Sequence, residues 1–409
     1  MSVSFQDIKK AAAVIDTHVV KTPLVFAHSI SEMLACEIFI KLENQQVTSS
    51  FKDRGALNKL SSLTKEERSR GVVAMSAGNH AQSVAYHAKR LGIPATIVMP
   101  QATPFTKVER TKRHGAEVVL SGDNLVEAQA KVIELVETRK LTQVHPFDDD
   151  KVIAGQGTLA MEMLAQQPAL EALVIPTGGG GLISGCAIAA KAINPNIEII
   201  GAEAKLFPSM YHALRGEPSV CGGATLAEGI AVKDVAERTV SICKQYIDKI
   251  CLADETSIER AVFLLLSQQK TLAEGAAATG LAAILSDPDY FAGRKIGIVL
   301  TGGNIDPRIL ASISYRELER EQRIINLRFS IDDKPGVLGT ITTLLGDQGA
   351  NVLEVSHHRM YLDISAKGAQ LDIMLETRDG QHALDIVEII RLEGFKVTVL
   401  SGQTDANGL

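Results

Sequence analysis

Between residues 72 and 203 the chain alternates short apolar runs with amphipathic stretches, and small residues stand where many of the runs end. Residues 72–75, 95–99 and 117–120 read as strands, separated by helices near 80–91, 104–114 and 124–139. The alternation resumes with a helix near 152–166, a strand at 172–176, a helix at 182–193 and a strand at 197–203; its last clear strand is 295–300. Parallel strands cannot be joined by a tight turn, so each needs a crossover helix, and this order predicts a parallel sheet covered on both faces. Upstream, residues 4–17 read as an amphipathic helix with Ser4 as its N-cap. Pro23 bars a helical residue before it, and residues 36–42 alternate as a short strand that delivers the chain towards Lys52 at a helix start. At 409 residues the chain exceeds one hydrophobic core and should divide into two or more domains.

Two strand ends carry distinctive turns. Ser76-Ala77-Gly78-Asn79-His80 follows the run at 72–75, and Gly178-Gly179-Gly180-Gly181 follows the run at 172–176. Strand, small-residue turn and helix together point backbone N–H groups at an anion. A third stretch, Ser49-Ser50-Phe51-Lys52-Asp53-Arg54-Gly55, sets a lysine beside an aromatic ring. A lysine amine attacks a carbonyl only when uncharged, which takes desolvation or a cationic neighbour. By itself, Lys52 next to Asp53 and Arg54 reads as the solvated start of a helix. With the two loops, one chain holds a candidate Schiff-base lysine, a loop suited to a carboxylate and a loop suited to a phosphate. A pyridoxal-phosphate enzyme acting on an amino acid requires that combination.

These stretches, with Thr301-Gly302-Gly303-Asn304, resemble the serine/threonine dehydratase family of fold-type II pyridoxal-phosphate enzymes, the tryptophan synthase β-subunit group. The resemblance runs in order over roughly the first 320 residues. It implies two α/β subdomains with pyridoxal 5'-phosphate between them, the smaller spanning roughly residues 50–150, within a catalytic portion at 1–313. It also implies deamination of L-threonine to 2-oxobutanoate and ammonia, with L-serine giving pyruvate as a secondary activity. On this resemblance Lys52 binds the cofactor and takes the substrate's α-proton, and Phe51 packs near the ring. Ser76, Ala77, Gly78, Asn79 and His80 surround the substrate carboxylate, and Asn79 also reaches the ring oxygen. Gly178, Gly179, Gly180, Gly181 and Leu182 hold the phosphate. Thr301, where many relatives have serine, meets the pyridine nitrogen. Glu228 and Glu274 fall at family positions near the site. Glu203 lies where relatives often bind a cation, though Phe207 and Ser209 do not obviously complete such a site.

The character changes after Asp306. Residues 314–323 are highly charged and read as a linker or an exposed helix. Beyond them come a strand at 324–331, the turn Asp333-Lys334-Pro335-Gly336, a helix at 337–345, strands at 351–360 and 371–376, a helix at 382–392 and a strand at 396–400. This β-α-β-β-α-β order is the ferredoxin-like split unit. With Lys334-Pro335-Gly336-Val337-Leu338 and Gly349-Ala350-Asn351, residues 324–400 resemble an ACT domain, the small amino-acid sensor of biosynthetic enzymes. The resemblance implies an amino-acid effector, with Leu338 and Asn351 as candidate contacts.

Composition narrows the remaining choices. The chain is 45% apolar and 22% charged, as soluble globular proteins are. A net charge of −6 with scattered Lys and Arg gives no footprint for nucleic acid. No apolar stretch is long enough for a membrane span, and no secretory signal opens the sequence. Five dispersed cysteines without a C-x-x-C pair fit reduced thiols and a cytoplasmic protein. The run His145-Pro146-Phe147-Asp148-Asp149-Asp150 reads as a loop rather than a metal site. A homo-oligomer, dimer or tetramer, is expected. A racemase or β-replacement enzyme of the same fold is the alternative reading. The resembling racemases carry a serine directly before the loop glycine, where this chain has Ala77, and β-replacement enzymes usually have threonine where it has His80. An inactive amino-acid sensor is the alternative of another class, against which the intact Lys52 and both loops speak.

Overall fold

The computed structural model describes residues 3–123, 125–359 and 368–400, without the side chains of 125 and 126. The chain divides into two compact units, Met1–Asp306 and Pro307–Leu409.

The first unit contains two sheets. Its strands are β1 (Leu24–Phe26), β2 (Glu37–Leu42), β3 (Val72–Met75), β4 (Ala95–Met99), β5 (Glu117–Leu120), β6 (Thr142–Gln143), β7 (Ala172–Pro176), β8 (Glu198–Ala204), β9 (Lys249–Ala253) and β10 (Lys295–Leu300). The larger sheet runs β1-β2-β10-β7-β8-β9 and the smaller β5-β4-β3-β6. All pairings are parallel except β1 with β2, an antiparallel edge that the alternation did not reveal. The central strand β7 is buried throughout, as a parallel strand covered on both faces must be. The first helix, Phe5–Ile15, opens with a reciprocal capping box between Ser4 and Asp7.

Three helices position the site by close approach. A Cβ on Gly155 of the helix Asp150–Gln166 would stand 2.7 Å from the Arg54 carbonyl and from Gly55 Cα, so this helix and the lysine helix Lys52–Ser61 touch backbone to backbone. Two residues on, a Cβ at Gly157 would lie 2.6 Å from the Gly185 carbonyl of the helix Gly181–Ile193. Only glycine permits both contacts. The lysine helix and the helix behind the tetraglycine are thereby packed on opposite sides of one shared helix.

The second unit opens with a helix, Pro307–Arg320, which covers most of the charged stretch at 314–323 and begins seven residues earlier. β11 (Ile324–Asp332), a helix (Val337–Asp347), β12 (Asn351–His358), β13 (Gly368–Glu376), a helix (Gly380–Leu392) and β14 (Lys396–Val399) follow. Met360, expected at the end of β12, lies outside the described residues. The sheet is antiparallel, in the order β12-β13-β11-β14. Leu327, Phe329, Leu371, Ile373 and Leu375 alternate onto one face and pack against Ile341, Leu345, Ile386 and Ile390 of the two helices. Among the described residues, no helix is long and apolar enough to cross a membrane.

Candidate active site

Lys52 is the first residue of its helix, and its Nζ donates to the Pro146 carbonyl at 2.9 Å and stands 5.0 Å from the centre of the Phe51 ring. Burial pulls the amine down to about 8, with the negative charge of Glu274 opposing it. The segment before it is fastened to the end of β10. The Phe51 amide donates to the Thr301 carbonyl and the Gly303 amide to the Ser49 carbonyl, each at 3.0 Å, with a bridge between Ser50 and Gly302. Ser49 sits at φ 59, a left-handed conformation that costs a non-glycine residue free energy.

The second loop arrives from β3. The Ser76 Oγ accepts from the Gly78 amide at 3.2 Å, and a Cβ on Gly78 would meet nothing within 4 Å, so space lies open in front of this turn. Asn79 starts the helix Asn79–Leu91. Its Nδ2 donates to Glu274 Oε1 at 2.6 Å, and its Oδ1 accepts from Asn304 Nδ2 at 2.7 Å. Asn304 also donates to the Thr48 carbonyl at 3.0 Å. His80 is buried, and burial together with the Lys52 charge pushes its imidazole down to about 3. The neutral ring therefore donates from Nε2 to the Val144 carbonyl at 2.8 Å, leaving Nδ1 buried without a partner. Ala77 is half-buried beside it.

The tetraglycine closes the site from the larger sheet. Gly180 caps the helix Gly181–Ile193 at φ 85 without a side-chain cap, and among the described residues none accepts a hydrogen bond from the amides of residues 179–182. Buried donors left unpaired at a helix start form an anion site. A Cβ on Gly179 would overlap the Phe147 ring, and one on Gly178 would stand 2.8 Å from Ile230 Cα. Phe147 is thus the wall of the glycine loop, while its neighbour Pro146 takes the Lys52 amine. Residues 145–150, which read in sequence as a plain loop, thus supply both contacts, and Asn304, part of the Thr301-Gly302-Gly303-Asn304 motif, fixes Asn79.

Lys52, Phe51, Asn79, Thr301 and the glycine loop accordingly converge, and Glu274 joins them. Burial pushes the Glu274 carboxyl up to about 7 against the Asn79 hydrogen bond. Glu228 is exposed and pairs with Lys107 Nζ at 2.6 Å. Glu203 is buried apart from these groups. Its oxygens accept from the amides of Met210 and Tyr211 at 2.9 and 2.8 Å, and burial pushes its carboxyl up to about 8. Ser209 instead donates to the Val232 carbonyl. Among the described residues, no group of three or more His, Cys, Asp or Glu is placed to hold a metal ion. In the second unit Leu338 is exposed, and Asn351 Nδ2 donates to Glu376 Oε2 at 3.1 Å.

The unpaired amides at 179–182 and the lowered Lys52 amine fit pyridoxal phosphate, which needs one group for its phosphate and one for its carbonyl. Residues 15–302 match the family described as pyridoxal-phosphate dependent enzyme, and residues 325–391 match the ACT domain. An L-threonine ammonia-lyase of Thermotoga maritima is 41% identical over 400 residues, covering 97% of this chain and 100% of that protein. A serine racemase structure from Dictyostelium discoideum aligns with a TM-score of 0.71 at 37% identity, over 75% of this chain and 100% of that one. The processed form of threonine deaminase isoform 2 from Solanum lycopersicum aligns at 0.73 and 36%, over 76% of this chain and 87% of that one.

Proposed function

We propose that the chain, which belongs to the pyridoxal-phosphate dependent enzyme family and carries an ACT domain at residues 325–391, is a threonine ammonia-lyase, converting L-threonine to 2-oxobutanoate and ammonia and L-serine to pyruvate. The observation that carries this reading is the placement of the Lys52 amine, 2.9 Å from the carbonyl of Pro146, whose neighbour Phe147 walls the glycine loop. Similarity across the full length of an L-threonine ammonia-lyase supports the choice of substrate.

Bound pyridoxal phosphate supplies the carbonyl that captures an amine and the ring that withdraws electrons from Cα. The chain's own residues do the rest. The amides of residues 179–182 hold the phosphate at the helix start. The hydroxyl of Thr301 would lie against the ring nitrogen, a neutral partner that would leave it unprotonated and favour elimination. The Ser76–His80 turn would hold the substrate carboxylate through Ser76, the turn amides and Asn79, whose side chain would also face the ring oxygen. With its imidazole engaged by Val144, His80 contributes its backbone. Lys52, whose amine burial draws down to about 8, would remove the Cα proton as general base, and that proton balances the one the β-hydroxyl takes up to depart as water.

Residues 1–313 would carry the chemistry and residues 324–400 its control by an amino-acid effector, with Leu338 and Asn351 as contacts. We further propose a homo-oligomer, dimer or tetramer, in the cytoplasm. The second reading, a racemase, is favoured by the likeness to a serine racemase structure and opposed by Ala77, since racemisation needs an acid on the face opposite Lys52. The test is turnover by the holoenzyme of L-threonine and L-serine, with and without isoleucine, valine and nucleotides. Release of 2-oxobutanoate with ammonia is expected, whereas D-amino acid as the main product would overturn the proposal.

A further inference from the structure

Asp53 and Arg54, which in sequence resemble a solvated helix start, are both buried and fully engaged. All five Arg54 donors find acceptors. Nε and Nη2 grip Glu43, each at 2.8 Å; Nη1 and Nη2 grip Glu162 at 2.7 and 2.9 Å; Nη1 also reaches Thr158 Oγ1 at 3.2 Å. Glu162 accepts in turn from Lys41 Nζ at 2.7 Å, whose other donors go to the Thr22 carbonyl at 2.6 Å and Gln166 Oε1 at 3.1 Å. Glu43 also accepts from Thr22 Oγ1 at 2.6 Å and Gln46 Nε2 at 3.1 Å. Two cations and two carboxylates neutralise one another where β2, the lysine helix and the helix Asp150–Gln166 meet. Asp53 reaches the other way, accepting from the Thr48 amide at 3.1 Å and Thr48 Oγ1 at 2.6 Å, with His87 Nε2 at 3.4 Å.

A buried charge network is a weak source of net stability, because desolvating the charges consumes most of what their attraction returns. What it supplies is one geometry, since a guanidinium fork fixes distance and angle together. The lysine helix has no side-chain cap at Phe51; its first turn, which contains both Lys52 and Arg54, is held instead by Asp53 on Thr48, by the Gln156 side chain on the Gly55 amide and by the Arg54 clamp. With its charge matched by Glu43 and Glu162, Arg54 would act on Lys52 through placement.

We propose that Arg54 is a positioning residue for Lys52: clamped between Glu43 and Glu162, it fixes the first turn of the lysine helix and with it the place of the amine. The inference rests on the reading of Lys52 as the cofactor lysine.

Two variants test it. Arg54→Lys keeps the charge and loses the fork. Arg54→Met combined with Glu43→Leu removes one whole ion pair and leaves Lys41 and Glu162 balanced, which avoids an orphaned buried charge. One readout is the pH dependence of pyridoxal phosphate uptake by the apoprotein, which follows the neutral amine; the other is kcat and KM for L-threonine. The unaltered protein should take up the cofactor with a midpoint near 8. Both variants should shift that midpoint upward, as the amine loses its buried place, and lower kcat about 10- to 100-fold while KM changes far less. A folded variant that keeps both the midpoint and kcat overturns the proposal. Should the double variant fail to fold, Arg54→Lys decides alone. If the unaltered protein takes up no cofactor at all, the reading of Lys52 fails instead.

Discussion

Asn79 and Glu274, 195 residues apart in the chain, are joined by a 2.6 Å hydrogen bond in which the Asn79 amide nitrogen donates to the carboxylate. Asn304 donates to the other end of the same side chain, so both the rotamer of Asn79 and the orientation of its amide are decided by neighbours before any ligand arrives. The Glu274 charge also acts on Lys52, holding up an amine that burial pulls down.

Glu274→Gln keeps an oxygen for Asn79 and removes that charge. With burial unopposed, the Lys52 amine should lose its proton more readily, and the midpoint of pyridoxal phosphate uptake should move below about 8. The same substitution has a stability signature. A folded-state carboxyl at about 7, against 4.5 ordinarily, binds a proton that the unfolded chain has released, so stability is full below about 4.5 and is lost as pH rises through about 7. The variant should gain in melting temperature over the parent between pH 5 and 8. A gap that stays constant with pH, or an uptake midpoint that rises, would contradict the coupling.

Gly179→Ala places a methyl group inside the Phe147 ring. Because the ring is itself packed beside the loop, the substitution should destabilise by about 1–3 kcal/mol and weaken cofactor retention. Phe147→Ala in the same chain should recover part of the stability. Gly339→Ala is the control: it lies in the helix Val337–Asp347 with nothing near its added methyl, and should stabilise by about 0.5–1 kcal/mol. Denaturant melts of the three variants make the comparison.

Ala77→Ser supplies a hydroxyl directly before the loop glycine. If its absence is what biases the site towards elimination, the variant should form detectable D-amino acid from L-serine, measured by chiral chromatography. An active variant that forms none would show that Ala77 is not the deciding feature.

Much of this was legible in the sequence. The expected strands at 72–75, 95–99, 117–120, 172–176 and 295–300 coincide with β3, β4, β5, β7 and β10, because a parallel strand is a short apolar run with sharp ends, a pattern that even the half-exposed edge strand β5 keeps. The two loops stand out for the same local reason: glycine and small residues at a strand end. Arg54 was not legible, since its acceptors Glu43 and Glu162 lie 11 and 108 residues away and its sequence neighbours are those of a surface helix. Nor was Phe147, whose partner is a glycine with no side chain to signal the contact. The antiparallel edge β1 is three residues long, too short for a periodicity to show.

A chain ending at Asp306 follows the division between the two units better than one cut near Ser314, which would leave half of the helix Pro307–Arg320 behind. All the residues proposed for chemistry lie upstream of the cut. Such a chain should still deaminate L-threonine but lose its response to amino-acid effectors, whose coupling to activity is typically about 1–3 kcal/mol in the intact protein. Full effector sensitivity in the shortened chain would remove the regulatory role from the ACT domain.

The most direct measurement is on Lys52→Ala. The apoprotein of this variant should unfold at about the temperature of the parent, because the amine's hydrogen bond is to the single Pro146 carbonyl. It should show no visible absorbance from lysine-bound pyridoxal phosphate and release no 2-oxobutanoate from L-threonine. A folded Lys52→Ala protein that turns over threonine at a substantial fraction of the parent rate would contradict the account at its centre.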